Sequence, residues 1–390
     1  LLVGPSIRST AQNLATSGYV RNYTGVRIGE EPDYSIVQNT FDLKLEYFAD
    51  MAALKVNPTF NHYASEQQGL EIDLKEAYLD LYFDQVDLRI GKQQIIWGKA
   101  EGVFITDVVS PKDLSEFLLP EFDEIRIGVN ALKAEYFLGA TTFELVLIPV
   151  FTPTVQPESD SIWSVTPSYP VMPTFNDTED VEMTLENGEV FTKFSYLGSL
   201  LDFEIMGGYM WDDEPTPHVT GLGPPLEITP EHHRLILGGG SVSTTVAGAV
   251  VRAEGAYYNG KYFRTDDPTT NEGVIQKDYI HYLVGADFSF VGIDLSAQYI
   301  QQIILDYDDS IIADQIDHMA TVRLSKTFFR ETLRLELFSY LGLNEPDALL
   351  RPKIVYDITD GVEILFGANV FLGDDGSFGQ YNENDMLYAK

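Results

Sequence analysis

The sequence predicts an all-β protein: a single transmembrane, antiparallel up-and-down β-barrel of about eighteen strands. Three observations carry this prediction. Apolar and polar residues alternate strictly through many segments, those segments exceed ordinary strand length, and the links between them are short and long by turns.

Alternation comes first. In 41–47 the apolar set Phe41, Leu43, Leu45 and Tyr47 opposes Asp42, Lys44 and Glu46. Leu201, Phe203 and Ile205 oppose Asp202 and Glu204. Ile293, Leu295, Ala297 and Tyr299 oppose Asp294, Ser296 and Gln298. The pattern returns in Ala320, Val322 and Leu324 against Thr321, Arg323 and Ser325, and in Leu333, Leu335 and Leu337 against Arg334 and Glu336. A period of two places one set on each face of a strand, one apolar and one wet. Lys or Arg facing lipid at mid-membrane costs about 2–4 kcal/mol. The charged face is therefore expected to line a watery interior.

Length comes second. Many segments run beyond the roughly five or six residues of an ordinary strand and reach the ~9–11 that a tilted membrane strand needs. No run of about 18 uncharged apolar residues exists, which argues against a spanning helix.

The links come third. Tight turns are predicted near 49–51, 84–85, 138–140, 198–200, 244–248, 291–292, 330–331 and 360–361. Long connections lie at about 64–70, 99–123, 152–182, 212–230, 264–275, 305–314, 341–348 and 373–384, with a short link at 30–33. Short periplasmic turns and long outer loops are the asymmetry of outer-membrane barrels. Aromatic residues flank the tight turns: Tyr47 and Phe48, Tyr82 and Phe83, Tyr136 and Phe137, Tyr196, Phe288 and Phe290, Phe328 and Phe329. A girdle at one membrane interface requires this placement. Two places leave sixteen strands as the alternative count. Gly238–Gly240 reads as a kink or a turn, and the last strand, 385–390, is short and lacks an aromatic end.

No composition shift divides the 390 residues, so 1–390 is expected to be one domain, with 1–16 as an N-terminal periplasmic segment. The formal net charge of −35 excludes nucleic acid as a partner. Acidic loops that hold divalent cations bridging lipopolysaccharide are one reading of this charge; an acidic solvated surface is the other. The absence of cysteine excludes thiol chemistry and cysteine-based metal sites. No Ser–His arrangement on a common strand face supports catalysis, so no catalytic residue, cofactor or metal is assigned. His232 and His233 are adjacent, so their side chains diverge and cannot readily chelate together.

The most informative segment runs from Leu88 through Trp97-Gly98 into the third outer loop. Residues 99–123 are too apolar for a disordered loop, carrying Val103, Phe104, Ile105, Val108, Val109, Phe117, Leu118 and Leu119. They need a surface, and the inner wall supplies one, so the loop is expected to fold inward and constrict the pore. A cap packed on neighbouring loops is the alternative. Within it, Ser110 as N-cap and Pro111 at the first position predict a short helix over 112–119. The constriction residues are Lys99, Glu101, Asp107, Lys112, Asp113, Glu116 and Glu121. The pore-lining residues are Asp87, Arg89, Arg126, Arg252, Glu254, Asp294, Arg323, Arg334 and Glu336, although pairs such as Arg334 with Glu336 also suit cross-strand stiffening.

The Arg89-x-Gly91-Lys92-Gln93 stretch, Trp97-Gly98 and the Ser110-Pro111-x-Asp113 core resemble an uncharacterised porin-like outer-membrane family. Ser110 stands where that family carries Asn. The family is similar in architecture to the eighteen-stranded alginate-export barrels, and the match covers roughly 86–125. The resemblance implies a channel in the bacterial outer membrane and no particular substrate. Alginate exporters have Arg-rich lumens; this chain has few basic residues, which disfavours an anionic polysaccharide. The expected reading is passive passage of small solutes or ions. The alternative is a barrel serving as scaffold or outer-membrane partner of a lipid or polymer export complex. Expected partners are outer-membrane lipid and lipopolysaccharide, with a homo-oligomer or a periplasmic export partner as further readings.

Overall fold

Eighteen strands close into one antiparallel barrel in the computed structural model, which describes residues 13–29, 32–64, 69–165 and 173–390. The strands are β1 (Leu14–Arg27), β2 (Asp33–Ala49), β3 (Ala52–Tyr63), β4 (Leu70–Tyr82), β5 (Val86–Gln93) and β6 (Val129–Leu138). They continue as β7 (Thr141–Ile148), β8 (Glu189–Leu197), β9 (Asp202–Trp211), β10 (Arg234–Val246), β11 (Ala249–Arg264) and β12 (Val274–Phe290). The last six are β13 (Ile293–Ile304), β14 (Ile316–Phe328), β15 (Leu333–Gly342), β16 (Asp347–Thr359), β17 (Val362–Leu372) and β18 (Met386–Ala389). Each pairs with the next, and β18 closes the ring by pairing with both β17 and β1. Because β18 is four residues long, this closure is made at Thr24–Arg27 of β1 and Phe366–Asn369 of β17, in the half of the wall nearer the outer loops.

Gly238, Gly239 and Gly240 lie inside β10 and pair across to Gly207, Met206 and Ile205 on β9. The triplet is a stretch of wall, not a turn, so the count is eighteen. Of the expected periplasmic segment 1–16, residues 14–16 already belong to β1, and 1–12 lie outside the described residues. Parts of the predicted outer links 30–33, 64–70 and 152–182 also fall outside them.

The outer surface is apolar all round. Leu54, Ile90, Leu145, Ile205, Val284, Tyr299, Ile354 and Phe366 are exposed, on strands spread around the barrel. The alternate positions along the strands point inward, where Asp42, Asn57, Glu76, Glu144, Ser296 and Thr321 are buried. Soluble proteins rarely expose contiguous apolar patches of this extent. The turn-flanking Tyr47, Phe48, Tyr82, Phe83, Tyr136, Phe137, Tyr196, Phe288, Phe290 and Phe329 are all exposed, as an interfacial girdle demands. Among the described residues no helix is long and apolar enough to cross a membrane. A small sheet of Pro173–Phe175, Thr216–Gly221 and Leu226–Glu231 caps the outer end on its own core of Val219, Leu226 and Ile228.

Candidate functional site in the barrel lumen

The third outer loop, between β5 and β6, crosses the lumen and is bonded to the far wall. Glu254 on β11 accepts hydrogen bonds from the backbone N–H groups of Lys99 (2.6 Å), Ala100 (3.2 Å) and Thr106 (2.9 Å), and from the Thr106 hydroxyl (2.7 Å). Gln298 on β13 accepts from Glu101 N and donates to Glu101 O. Tyr258 donates to Ile105 O, and Tyr340 on β15 to Gly102 O. Arg351 on β16 donates to Leu118 O and Leu119 O. These partners span four strands opposite the loop's root, so the loop lies inside the barrel. Two glycines make room for it. Gly98 adopts φ +79° beside Glu254, and a Cβ at Gly239 would stand 3.2 Å from the Thr106 methyl.

The residues that carried the family resemblance hold the loop's root. Trp97 donates its ring N–H to Glu144 (2.6 Å), while its backbone N–H donates to Asp107 (3.0 Å). Asp107 also accepts from Arg126 Nε at 2.7 Å. The Ser110 hydroxyl accepts from Ile95 N and donates to Ile95 O.

That last contact corrects the expected helix over 112–119. Because the Ser110 side chain turns back to Ile95, it cannot cap a following helix. Lys112 instead bridges Arg126, Asp113 bridges Val155, and 115–118 form a turn with Phe117 at φ +55°. The loop's one helical turn is Phe122–Ile125.

Phe117 sits among Trp163, Phe371, Phe378 and Tyr381, with ring centroids 4.7–6.4 Å away. This aromatic cluster fills the outer part of the lumen on the β15–β17 side. Among the described residues, two water-accessible cavities flank the loop. The outer one, about 190 Å³, lies between β1–β4 and the loop and is lined by Tyr63, Glu71, Asp113 and Glu116 among others. The inner one, about 690 Å³, is lined by Glu101, Glu121, Arg323, Arg334, Glu336, Arg351, Lys353 and Glu363. Tyr19, Arg21, Glu124, Arg126 and Lys390 border both cavities. At that junction Arg21 Nη1 donates to Glu124 at 2.6 Å, and the Tyr19 hydroxyl donates to the same carboxylate oxygen at 3.1 Å.

Charges in the inner cavity are interleaved. Lys353 is 3.1 Å from Glu121 and 3.4 Å from Glu336; Arg323 is 3.3 Å from Glu336 and 3.8 Å from Glu101. Burial opposes ionisation of Glu124, but Arg21, Lys390 and Lys75 together outweigh it and hold that carboxyl below its usual range. Burial pushes Glu116 up to about 7 despite the opposing influence of Lys390.

Among the expected residues, Glu101, Glu121, Arg126, Arg323, Arg334 and Glu336 meet in the inner cavity, and Asp113 and Glu116 in the outer one. Asp107 and Glu254 point inward but are committed to holding the loop. Lys99 and Arg252 serve the same end: the Lys99 ammonium donates to Ser243, and Arg252 donates to Lys99 O and pairs with Asp287. Lys112 faces Asp213 at 3.8 Å. Arg89 pairs with Asp80 on the inward face, while Asp87 and Asp294 sit near the periplasmic turns and border neither cavity. Arg21, Glu124, Arg351 and Lys353 were not anticipated. Arg21 lies between Val20 and the polar Asn22 with Tyr19 and Tyr23 on its own face, so no alternation marks it, and Pro352 interrupts the pattern at Lys353.

A family model described as "Protein of unknown function (DUF1302)" matches residues 30–321. The chain belongs to this family. No curated protein is similar to this DUF1302 chain in sequence. Solved structures share its fold. OccAB1 of Acinetobacter baumannii covers 100% of the chain, over 98% of its own length, with a TM-score of 0.59 at 8% identity. OccK8 (OprE) of Pseudomonas aeruginosa covers 96% over 96%, with a TM-score of 0.57 at 9% identity. OccK2 (OpdF) of the same organism covers 96% over 96%, with a TM-score of 0.56 at 9% identity, and has also been solved in complex with glucuronate. At this identity the likeness is one of architecture: the DUF1302 chain has the closed antiparallel barrel of outer-membrane porins.

Proposed function

We propose that this protein is a porin-like channel of the bacterial outer membrane, through which small hydrophilic solutes or ions pass passively. The carrying observation is the loop 99–123 bonded across the lumen to Glu254, Gln298, Tyr340 and Arg351, with its aromatic tip filling one side. What remains is a polar route along β1, and the loop constricts that route at Arg21 and Glu124. Rings and rows of charge at such a point select by sign and size. The inner cavity interleaves cations with carboxylates, which favours small charged or zwitterionic solutes over a long polyanion such as alginate. Among the described residues no histidine lines either cavity, and the reading is a channel. OccK2 bound to glucuronate is a precedent for a small carboxylate in a barrel of this architecture.

Liposome swelling with sugars and carboxylates of graded size tests the proposal. Swelling is expected with the small solutes and absent with larger ones. Absence of swelling with every solute, together with co-purifying lipid or periplasmic proteins, would favour the export-partner reading instead.

A further inference from the structure

We propose that His218, His233 and Glu231 form a transition-metal site at the outer mouth, with zinc the occupant that their chemistry fits best. His218 lies on the loop strand Thr216–Gly221, Glu231 ends the loop strand Leu226–Glu231, and His233 directly precedes β10. One donor atom from each lies within 4.8 Å of the other two. The two imidazoles meet head-on, Nε2 to Nε2 at 2.7 Å.

The surroundings of the two rings suit a metal between them. His218 is buried, and its Nδ1 lies 3.0 Å from the Glu272 carboxylate. A neutral His218 that donates from Nδ1 to Glu272 presents a lone pair at Nε2. A carboxylate behind a histidine in this way is the usual support of a metal-ligating imidazole. The His233 ring is held by stacking on Tyr262, with centroids 3.9 Å apart and planes 24° apart. Zinc–nitrogen bonds of ~2.0–2.1 Å in a tetrahedral site place the nitrogens about 3.3 Å apart. To admit the ion, the imidazoles need to separate by roughly half an ångström and to pivot from their head-on contact so that both lone pairs converge on it. Two imidazoles and one carboxylate suit zinc, with a fourth position left for water. Calcium and magnesium favour all-oxygen sets.

The sequence reading that His232 and His233 diverge agrees with their placement, since His232 turns to Asp212 O and to the Phe151 ring. What the pair conceals is that His233 meets a histidine fifteen positions earlier. A bound zinc would pin the capping sheet to the start of β10 and, through Glu272, to the loop between β11 and β12. The site would then stiffen one side of the mouth.

The test uses the full chain in detergent, stripped with a chelator and titrated with zinc chloride alone by calorimetry. Heat-modifiable migration of every variant verifies the folded barrel. One zinc per chain is expected for the wild type, with retention in His232→Gln, loss of stoichiometric binding in His218→Gln and His233→Gln, and roughly tenfold or greater weakening in Glu272→Gln. Excess calcium is expected not to displace the ion. Failure of the folded wild type to bind stoichiometric zinc would overturn the proposal. Equal binding by wild type, His218→Gln and His233→Gln would do the same, because it would assign the zinc to acidic groups elsewhere.

Discussion

Arg21 on β1 and Glu124 on the third outer loop meet at 2.6 Å where the two lumen cavities adjoin. This pair, with the Tyr19 hydroxyl on the same oxygen, is the only cross-lumen ion pair of the described residues that borders both cavities. On the channel reading proposed above, its opening and its charge bear directly on permeation.

Removing both side chains is expected to widen the junction. In planar bilayers the double variant Arg21→Ala/Glu124→Ala should raise single-channel conductance by about twofold or more. Arg21→Gln alone removes the cation bonded to Glu124 and should shift the reversal potential in a salt gradient toward cation preference. An unchanged conductance in the double variant would place the limiting constriction elsewhere.

Glu254 anchors the loop through four hydrogen bonds. Bonds to a charged acceptor contribute roughly 1.5–3 kcal/mol each, net of the bonds to water that they replace. Glu254→Ala is thus expected to weaken loop docking by at least ~3 kcal/mol while leaving the strand ladder intact. The expected signature is a noisy, larger current from a barrel that retains heat-modifiable migration. A quiet current of wild-type size would show that the loop is held by other means.

Glu116 lines the outer cavity and titrates near neutrality because burial disfavours its charged form. With a pKa raised to about 7, it is neutral at pH 5.5 and ionised at pH 8.5. The outer cavity gains a negative charge as pH rises through that window, and cation preference should increase. Glu116→Gln should flatten this step in reversal-potential measurements across the same range.

Val284 sits mid-strand on β12 with its side chain exposed on the apolar face. Val284→Arg should cost about 2–4 kcal/mol in a bilayer. Denaturant titration of the barrel in lipid vesicles would measure this. A stability equal to wild type would contradict the assignment of that face to lipid.

The strands were legible because lipid outside and water inside impose opposite demands on adjacent residues, as in Leu333 to Leu337. The inward loop was legible because Val108, Val109 and Leu119 are too apolar for solvent, and they are buried. Its internal conformation was not. Ser110 and Pro111 carry a local helix-start signal, but the hydroxyl finds Ile95 O and N fifteen residues away, and that tertiary contact overrides the cap. Arg21 and Glu124 are separated by 103 positions, so no spacing rule could join them. Glu254 is legible in the sequence as an inward-facing residue, yet only the fold shows that it receives the loop amides.

The central claim is that residues 99–123 lie in the conduction path. Single-channel recording of the purified protein in planar bilayers, compared with a variant in which residues 100–120 are replaced by a short Gly-Ser link, tests it most directly. Discrete small steps from the wild type and clearly larger steps from the folded variant are expected. Absence of steps from the wild type, or steps of equal size from both, would contradict it.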